Sequence, residues 1–201
     1  MDSKLMLAKQ ALERNGFKAS IFNGVGEARE ALLKEIGLGE SVAFGGSMTL
    51  NDMGLYEEFK ERGNDIYWHW KAEDGQSELR AARYADIYIS STNALTLDGK
   101  LVNMDGVGNR VSSMFYGHRR VYIVAGRNKL TKDLDEARDR IDKIAAPKNA
   151  KRLNTKTPCE STGECNDCDS PARICNVEVI IHKNTKGSDI NIFLIDDDLG
   201  Y

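Results

Sequence analysis

Four short apolar runs constrain this chain more than any other feature: SVAF (Ser41–Phe44), ADIYIS (Ala85–Ser90), RVYIVA (Arg120–Ala125) and INIFLI (Ile190–Ile195). Each is too short for a buried helix and suits a strand covered on both faces. Between them lie stretches with helical spacing of apolar residues. Leu5, Ala8 and Leu12 mark a helix over residues 4–15 that stops at Asn15-Gly16, and Glu27–Ile36 is stopped by Gly37 and Gly39. Met48–Arg62, weakened by Gly54, Ser77–Tyr84, Asn109–Tyr116 and Leu134–Ala145 extend the helical set. Lys18–Phe22, Asp65–Trp68 and Val177–Ile181 add strands. Alternation of this kind calls for an α/β fold with a mainly parallel, helix-covered sheet. ALTLDGKLVNMDG is the exception, because alternating apolar residues around Asp98-Gly99 predict an antiparallel β-hairpin. KNAKRLNTK, Lys148–Lys156, reads as a basic, solvated connection.

The length of 201 residues fits one domain, residues 1–201, able to bury a core without disulfides. A net charge of −3 argues against nucleic-acid binding by bulk attraction. The chain has no apolar run of the ~18 residues that a membrane helix needs, so no membrane partner is expected. MDSKLMLAKQALERNG lacks the apolar core of a signal peptide, which places the protein in the cytoplasm, where thiols stay reduced. A homo-oligomer stays open.

VAFGGSMTLND runs from strand through two glycines and a hydroxyl residue into a helix start. Glycines let backbone N–H groups approach a ligand, and the first helical turn leaves such groups unpaired. Gly45, Gly46, Ser47 and Thr49 are therefore candidate anion ligands, with a plain strand-to-helix turn capped by Ser47 as the alternative. The loop is neither a Walker motif nor a dinucleotide fingerprint. In NMDGVGNRVSSM, Gly106 and Gly108 again precede a helix, and Arg110 brings a charge suited to carboxylate or phosphate. Asp105 and Asn109 belong to the same loop. AGRNKL offers Arg127, Asn128 and Lys129 after a strand, and SSTNAL offers Asn93. In open parallel sheets ligands bind where loops leave the carboxyl ends of strands, so four such exits point to one pocket. The histidines, His69, His118 and His182, have no partner pattern and read as core or exposed residues. YWHW, Tyr67–Trp70, reads as core packing or a subunit contact.

All four cysteines fall within TPCESTGECNDCDSPARICN, as C-x5-C-x2-C-x6-C. Cys165 and Cys168 have chelating spacing, and Cys159 and Cys175 flank them more widely. Reduced thiols make disulfides the weakest reading, and four unligated thiols remain an alternative. The preferred reading is a metal site: a [4Fe–4S] cluster, with zinc as the rival. Arg173 and Lys156 would offset the negative charge of such a site.

FGGSMTL, STNALTLDGKLVNMDGVGNRVSSM and VAGRNKL resemble the motifs of the lactate-utilization-domain (LUD) family, and the resemblance spans nearly the whole chain. It implies a fold similar to sugar-phosphate isomerases, glucosamine-phosphate deaminases and coenzyme A transferases. It also implies that the early glycine loop, here Gly45, Gly46, Ser47 and Thr49, holds a phosphate or similar anion. Some members belong to operons that oxidise L-lactate to pyruvate alongside iron–sulfur proteins. The expectation is a protein that supports oxidation of a small hydroxy acid, with iron–sulfur partners and a phosphate-bearing or hydroxy-acid ligand. A ligand-binding regulatory or scaffold subunit without chemistry is the alternative. Ribose-phosphate isomerases place a further carboxylate soon after the Asp-Gly pair. Here Gly108, Asn109 and Arg110 stand there, so a paired-carboxylate mechanism lacks its second member.

Overall fold

The computed structural model describes residues 2–201. Its strands, in chain order, are β1 (Lys18–Phe22), β2 (Val42–Phe44), β3 (Ile66–Tyr67), β4 (Ile87–Ser90), β5 (Ala94–Thr96), β6 (Leu101–Asp105), β7 (Arg120–Gly126), β8 (Leu130–Thr131), β9 (Val177–Ile181) and β10 (Asp189–Ile195). The helices are α1 (Ser3–Arg14), α2 (Val25–Glu35), α3 (Met48–Asp52), α4 (Leu55–Glu61), α5 (Gly75–Ala82), α6 (Asn109–Ser113), α7 (Leu134–Arg140), α8 (Ala146–Leu153) and α9 (Pro158–Thr162).

The main sheet is parallel throughout, in the order β1-β10-β7-β4-β2-β3. The last strand in sequence is therefore internal, paired with β7 through Ile192 opposite Ile123. Side chains alternate between the faces, as a pleated strand requires. Val121, Ile123 and Ala125 of β7 join Ile190, Ile192 and Leu194 of β10 against α1. Tyr122, Val124, Phe193 and Ile195 face the opposite way, into the core under α2, α3 and α4. Burial on both faces explains why these strands read as unbroken apolar runs.

The expected hairpin is part of something larger. β5 and β6 pair antiparallel around Gly99, whose φ is +83° and whose missing Cβ would lie 2.8 Å from backbone atoms of Ala11 and Leu12. Glycine is needed there for both conformation and close approach. β8 adds in parallel to β5 and β9 antiparallel to β6, giving a second sheet in the order β8-β5-β6-β9. Leu95, Leu101 and Ile181 pack towards α1 and the main sheet, and Ala94 and Val102 pack against Ala137 and Ile141.

Two expected boundaries are corrected. The helix expected over Met48–Arg62 divides at Gly54, whose φ of +65° starts α4 afresh. The stretch Lys148–Lys156 is not a loop, because Lys148–Leu153 lies in α8. A wide π turn, Ile141–Ala145, carries α7 into α8, with the Ala146 N–H reaching Ile141 O. Pro147, which lacks an N–H, follows directly on this π turn within a continuous helical run, and the widened turn accommodates the absence of the hydrogen bond that proline cannot make. The basic composition hid a narrow buried stripe of Pro147 and Ala150. Among the described residues, no helix is long and apolar enough to cross a membrane.

Candidate functional site

The exits of β2, β4, β6 and β7 and the helix α8 surround one cavity of about 270 Å³. After β2, Gly45 serves packing rather than the cavity: a Cβ there would collide with the Tyr88 hydroxyl and Ser90. Gly46 does line the cavity, and a Cβ on it would sit 3.0 Å from the Trp70 ring. Ser47 caps α3 by accepting from Leu50 N at 3.4 Å. Thr49, one turn on, faces the floor.

That floor is Lys129. It is 3% exposed, and its Nζ donates to Thr49 Oγ1 and Ser91 Oγ, each at 2.8 Å. An ammonium has three hydrogens, and among the described residues only these two acceptors are within reach. The described residues place no carboxylate in an ion pair with it. Burial first, then Arg140 and Arg110, bring its pKa down to about 7. Arg140 is itself buried, which lowers its pKa to about 10, and its guanidinium donates to Asn128 O at 2.9 Å and to Asn93 O.

Asp105 and Arg110 form the frame of the next wall. Asp105 accepts from Val107 N at 3.0 Å, Gly108 N at 2.9 Å and Val111 N at 3.2 Å, so its carboxylate is occupied in shaping the loop. Arg110 Nε lies 3.7 Å from it. The rest of the guanidinium donates to Asn103 Oδ1 at 2.8 Å, Asn93 Oδ1 at 2.9 Å, Met104 O at 2.8 Å and Ser91 O at 3.2 Å. Arg110 reaches the cavity wall, yet most of its donors tie the loop to the exit of β4. Asn93, Gly106 and Asn109 line the cavity beside it.

Arg127 and Asn128 are outside this constellation. Arg127 points outward, pairing with Asp196 at 3.2 Å and Asp198 at 3.1 Å. Asn128 holds the Leu199 backbone, accepting from its N–H at 3.1 Å. The turn of 3₁₀ helix at Arg127–Lys129 sends Lys129 inward and Arg127 out. Sequence reasoning also missed the far wall. Trp68 is core, stacked on Phe44 at 5.2 Å, but His69 and Trp70 reach the cavity. Arg152 of α8 lies 4.3 Å from the Trp70 ring centroid and donates to the Tyr201 hydroxyl at 2.8 Å. His69 Nδ1 is buried without a partner among the described residues, and burial, then Arg152, lower its pKa. Of the other histidines, His118 is buried against Tyr88 and His182 is exposed. Basic residues in a stretch read as solvated loop gave no signal for Arg152.

The cysteines meet on a separate, small cavity. Cys159, Cys165, Cys168 and Cys175 all line it, with Ala146, Thr157 and Ile174. All four are free thiols. Burial raises the Cys175 thiol most, Arg173 opposes it, and Cys165, Cys168 and Cys159 push it further up. Lys156 and Arg173 differ in placement: Arg173 donates to Cys168 O at 2.9 Å and Cys175 O at 3.0 Å, whereas Lys156 is exposed.

A family model described as the LUD domain matches residues 5–195. A DUF162 family protein from Deinococcus radiodurans superposes with a TM-score of 0.55 at 9% identity, covering 96% of each chain, a likeness of fold. A translation initiation factor eIF-2B from Pyrococcus horikoshii gives 0.39 at 17% identity, covering 57% of this chain and 50% of that one. Ribose 5-phosphate isomerase from Plasmodium falciparum gives 0.33 at 15% identity, covering 54% and 52%. No curated protein matches the sequence.

Proposed function

The chain belongs to the LUD-domain family, which is linked in general to lactate utilization, and we propose that its cavity binds a small carboxylate or phosphate over Lys129. The observation that carries this reading is a buried lysine held by two hydroxyls, with no carboxylate in an ion pair with it among the described residues. A buried cation is costly unless an anion completes it. Arg140, Arg110 and Arg152 add positive field around the same space. The volume lies below the usual range for drug-sized ligands, which favours a small acid such as lactate or pyruvate over coenzyme A. In the cell we place this cytoplasmic protein in the oxidation of L-lactate to pyruvate, with the electrons passing to iron–sulfur protein partners.

Asp105 supports a second reading, a binding subunit without chemistry, because its carboxylate is engaged by three backbone N–H groups of its own loop. Calorimetry and thermal shift with L-lactate, pyruvate, inorganic phosphate, ribose 5-phosphate and coenzyme A test the anion site. At least one small anion should stabilise the protein, and Lys129→Met should remove the effect. Failure of every probe at pH 6.5 would overturn the reading. Turnover of L-lactate with a dye acceptor, lost on Asp105→Asn, would select the enzyme over the binder.

A further inference from the structure

We propose that Cys159, Cys165, Cys168 and Cys175 together hold one [4Fe–4S] cluster, and that cluster occupancy sets ligand affinity in the neighbouring anion cavity. The second half rests on the anion reading above; the first stands alone.

Convergence is the first observation. Four thiols spread over residues 159–175 line one cavity, whose remaining wall includes Ala146 and Ile174. Their spread matters as much as their convergence. Among the described residues, no three His, Cys, Asp or Glu side chains are gathered closely enough to hold a single metal ion. Tetrahedral zinc draws every sulfur to ~2.3 Å from one point. Thiols that share a small cavity of about 10 Å³ without converging on one point favour a cuboidal cluster, which presents a separate iron to each cysteine and would open that space as it forms.

The chain around the thiols is the second observation. Residues 163–176 contain no helix and no strand. A segment of that length without regular structure in a compact domain is functional or unfolded. Here it is anchored at particular points: Cys165 N bonds Asp142 O at 2.8 Å, and Arg173 clasps Cys168 O and Cys175 O. Asp167, between Cys165 and Cys168, takes a left-handed φ of +47°, which turns the chelating pair. The Arg173 guanidinium, 2.7 Å from Asp167, places positive charge beside a ligand set that a cluster would make negative.

Ile174 joins the two sites, because it lines both cavities. Its backbone packs on Gly106, where a Cβ would lie 3.3 Å from Ile174 Cα. Asn176 N bonds Asp105 O at 2.9 Å, and Asn176 Nδ2 bonds Gly106 O at 3.0 Å. The cysteine segment therefore buttresses the Asp105–Gly106 turn that walls the anion cavity. Ordering the segment around a cluster would pre-organise that wall and lower the cost of ligand binding.

The test uses the full chain, purified anaerobically and reconstituted with ferric iron, a thiol reductant that converts part of it to ferrous, and sulfide. The expected product is brown, with about four iron and four sulfide per chain. The Cys165→Ser/Cys168→Ser double variant should lose the colour and most of the iron while keeping the circular dichroism of the folded protein. Equal iron in that variant, or a single zinc per chain in its place, would overturn the cluster. Calorimetry with inorganic phosphate and L-lactate then compares loaded and iron-free protein. Binding about fivefold or more tighter to the loaded form is expected. Equal affinity in both forms overturns the coupling. No binding of either probe to either form overturns the anion reading and the coupling with it, while the iron count still decides the cluster.

Discussion

The anion cavity and the cysteine segment touch at Ile174, but they are held in place by different physics. The cavity stands on strand ends. Its frame residues, Asp105 and Arg110, have their hydrogen bonds made by the protein itself. Among the described residues, Lys129 and the buried His69 Nδ1 are left with hydrogen-bonding capacity to spare. The cysteine segment has no ladder, no helix beyond α9, and no apolar core of its own. The first region is organised by its own hydrogen bonds, and the second, on the proposal above, would be organised by a bound cluster.

Hydrogen exchange breaks or sharpens this contrast most strongly. In iron-free protein, amides of residues 163–176 should exchange about a thousandfold or more faster than those of β7 and β10, since local opening needs far less free energy than global unfolding. Iron loading should slow the segment alone. Uniform protection in the iron-free chain would show that both regions are equally self-organised.

Lys129→Met comes next. Removing one partner of a buried charge contact costs ~2 kcal/mol or more, so anion affinity should fall about 30-fold. The same variant should stabilise the empty protein at low pH, for the following reason. The folded pKa of Lys129, about 7, lies below the unfolded value of ~10.4, so the folded state releases the proton first. Its penalty is complete below pH 7 and fades as pH rises towards the unfolded value. Melting temperatures of wild type and Lys129→Met should therefore differ most at pH 6 and converge above pH 10. A ligand anion should reverse the sign at pH 6 and be accompanied by proton uptake near pH 7.5. A variant less stable than wild type at pH 6 would mean the cavity stores no such penalty.

Two glycines sharpen the comparison at smaller scale. Gly45→Ala forces a methyl into Tyr88 and Ser90 and should cost about 1–3 kcal/mol of global stability by denaturant titration. Gly163→Ala meets nothing within 4 Å but has a φ of +77°, so it should cost about 1 kcal/mol. That cost should appear as looser iron, with the global midpoint little changed. Arg127→Ala, finally, should leave anion affinity unchanged and barely move the melting temperature, because its ion pairs are exposed. A tenfold loss of affinity would return Arg127 to the cavity.

Much of the architecture was legible because local signals agreed with the global fold. RVYIVA and INIFLI are strands in sequence and neighbours in the sheet, and Asp98-Gly99 does turn the β5–β6 pair. The second sheet was not legible, since β9 and β6 are brought together from segments far apart in the chain. Local pattern carries no register for such pairings. The same limit applied at the site. Thr49, Asn93, Asp105, Arg110 and Lys129 follow strands and reach the cavity as that rule expects, and His69 and Trp70 follow the short β3 but were read as packing, while Arg152 and Tyr201 arrive from helix and loop.

Periodicity, turn chemistry and cysteine spacing sufficed to read out an α/β fold, its strand-exit loops and a segment of clustered thiols, because each depends on near neighbours along the chain. Which of two basic side chains in one short turn would be buried was a different matter. Arg127 found Asp196 and Asp198, and Lys129 found Thr49 and Ser91. Those partners are distant in sequence, and only their arrival in space decides which charge is paired with carboxylates and which is held by hydroxyls alone.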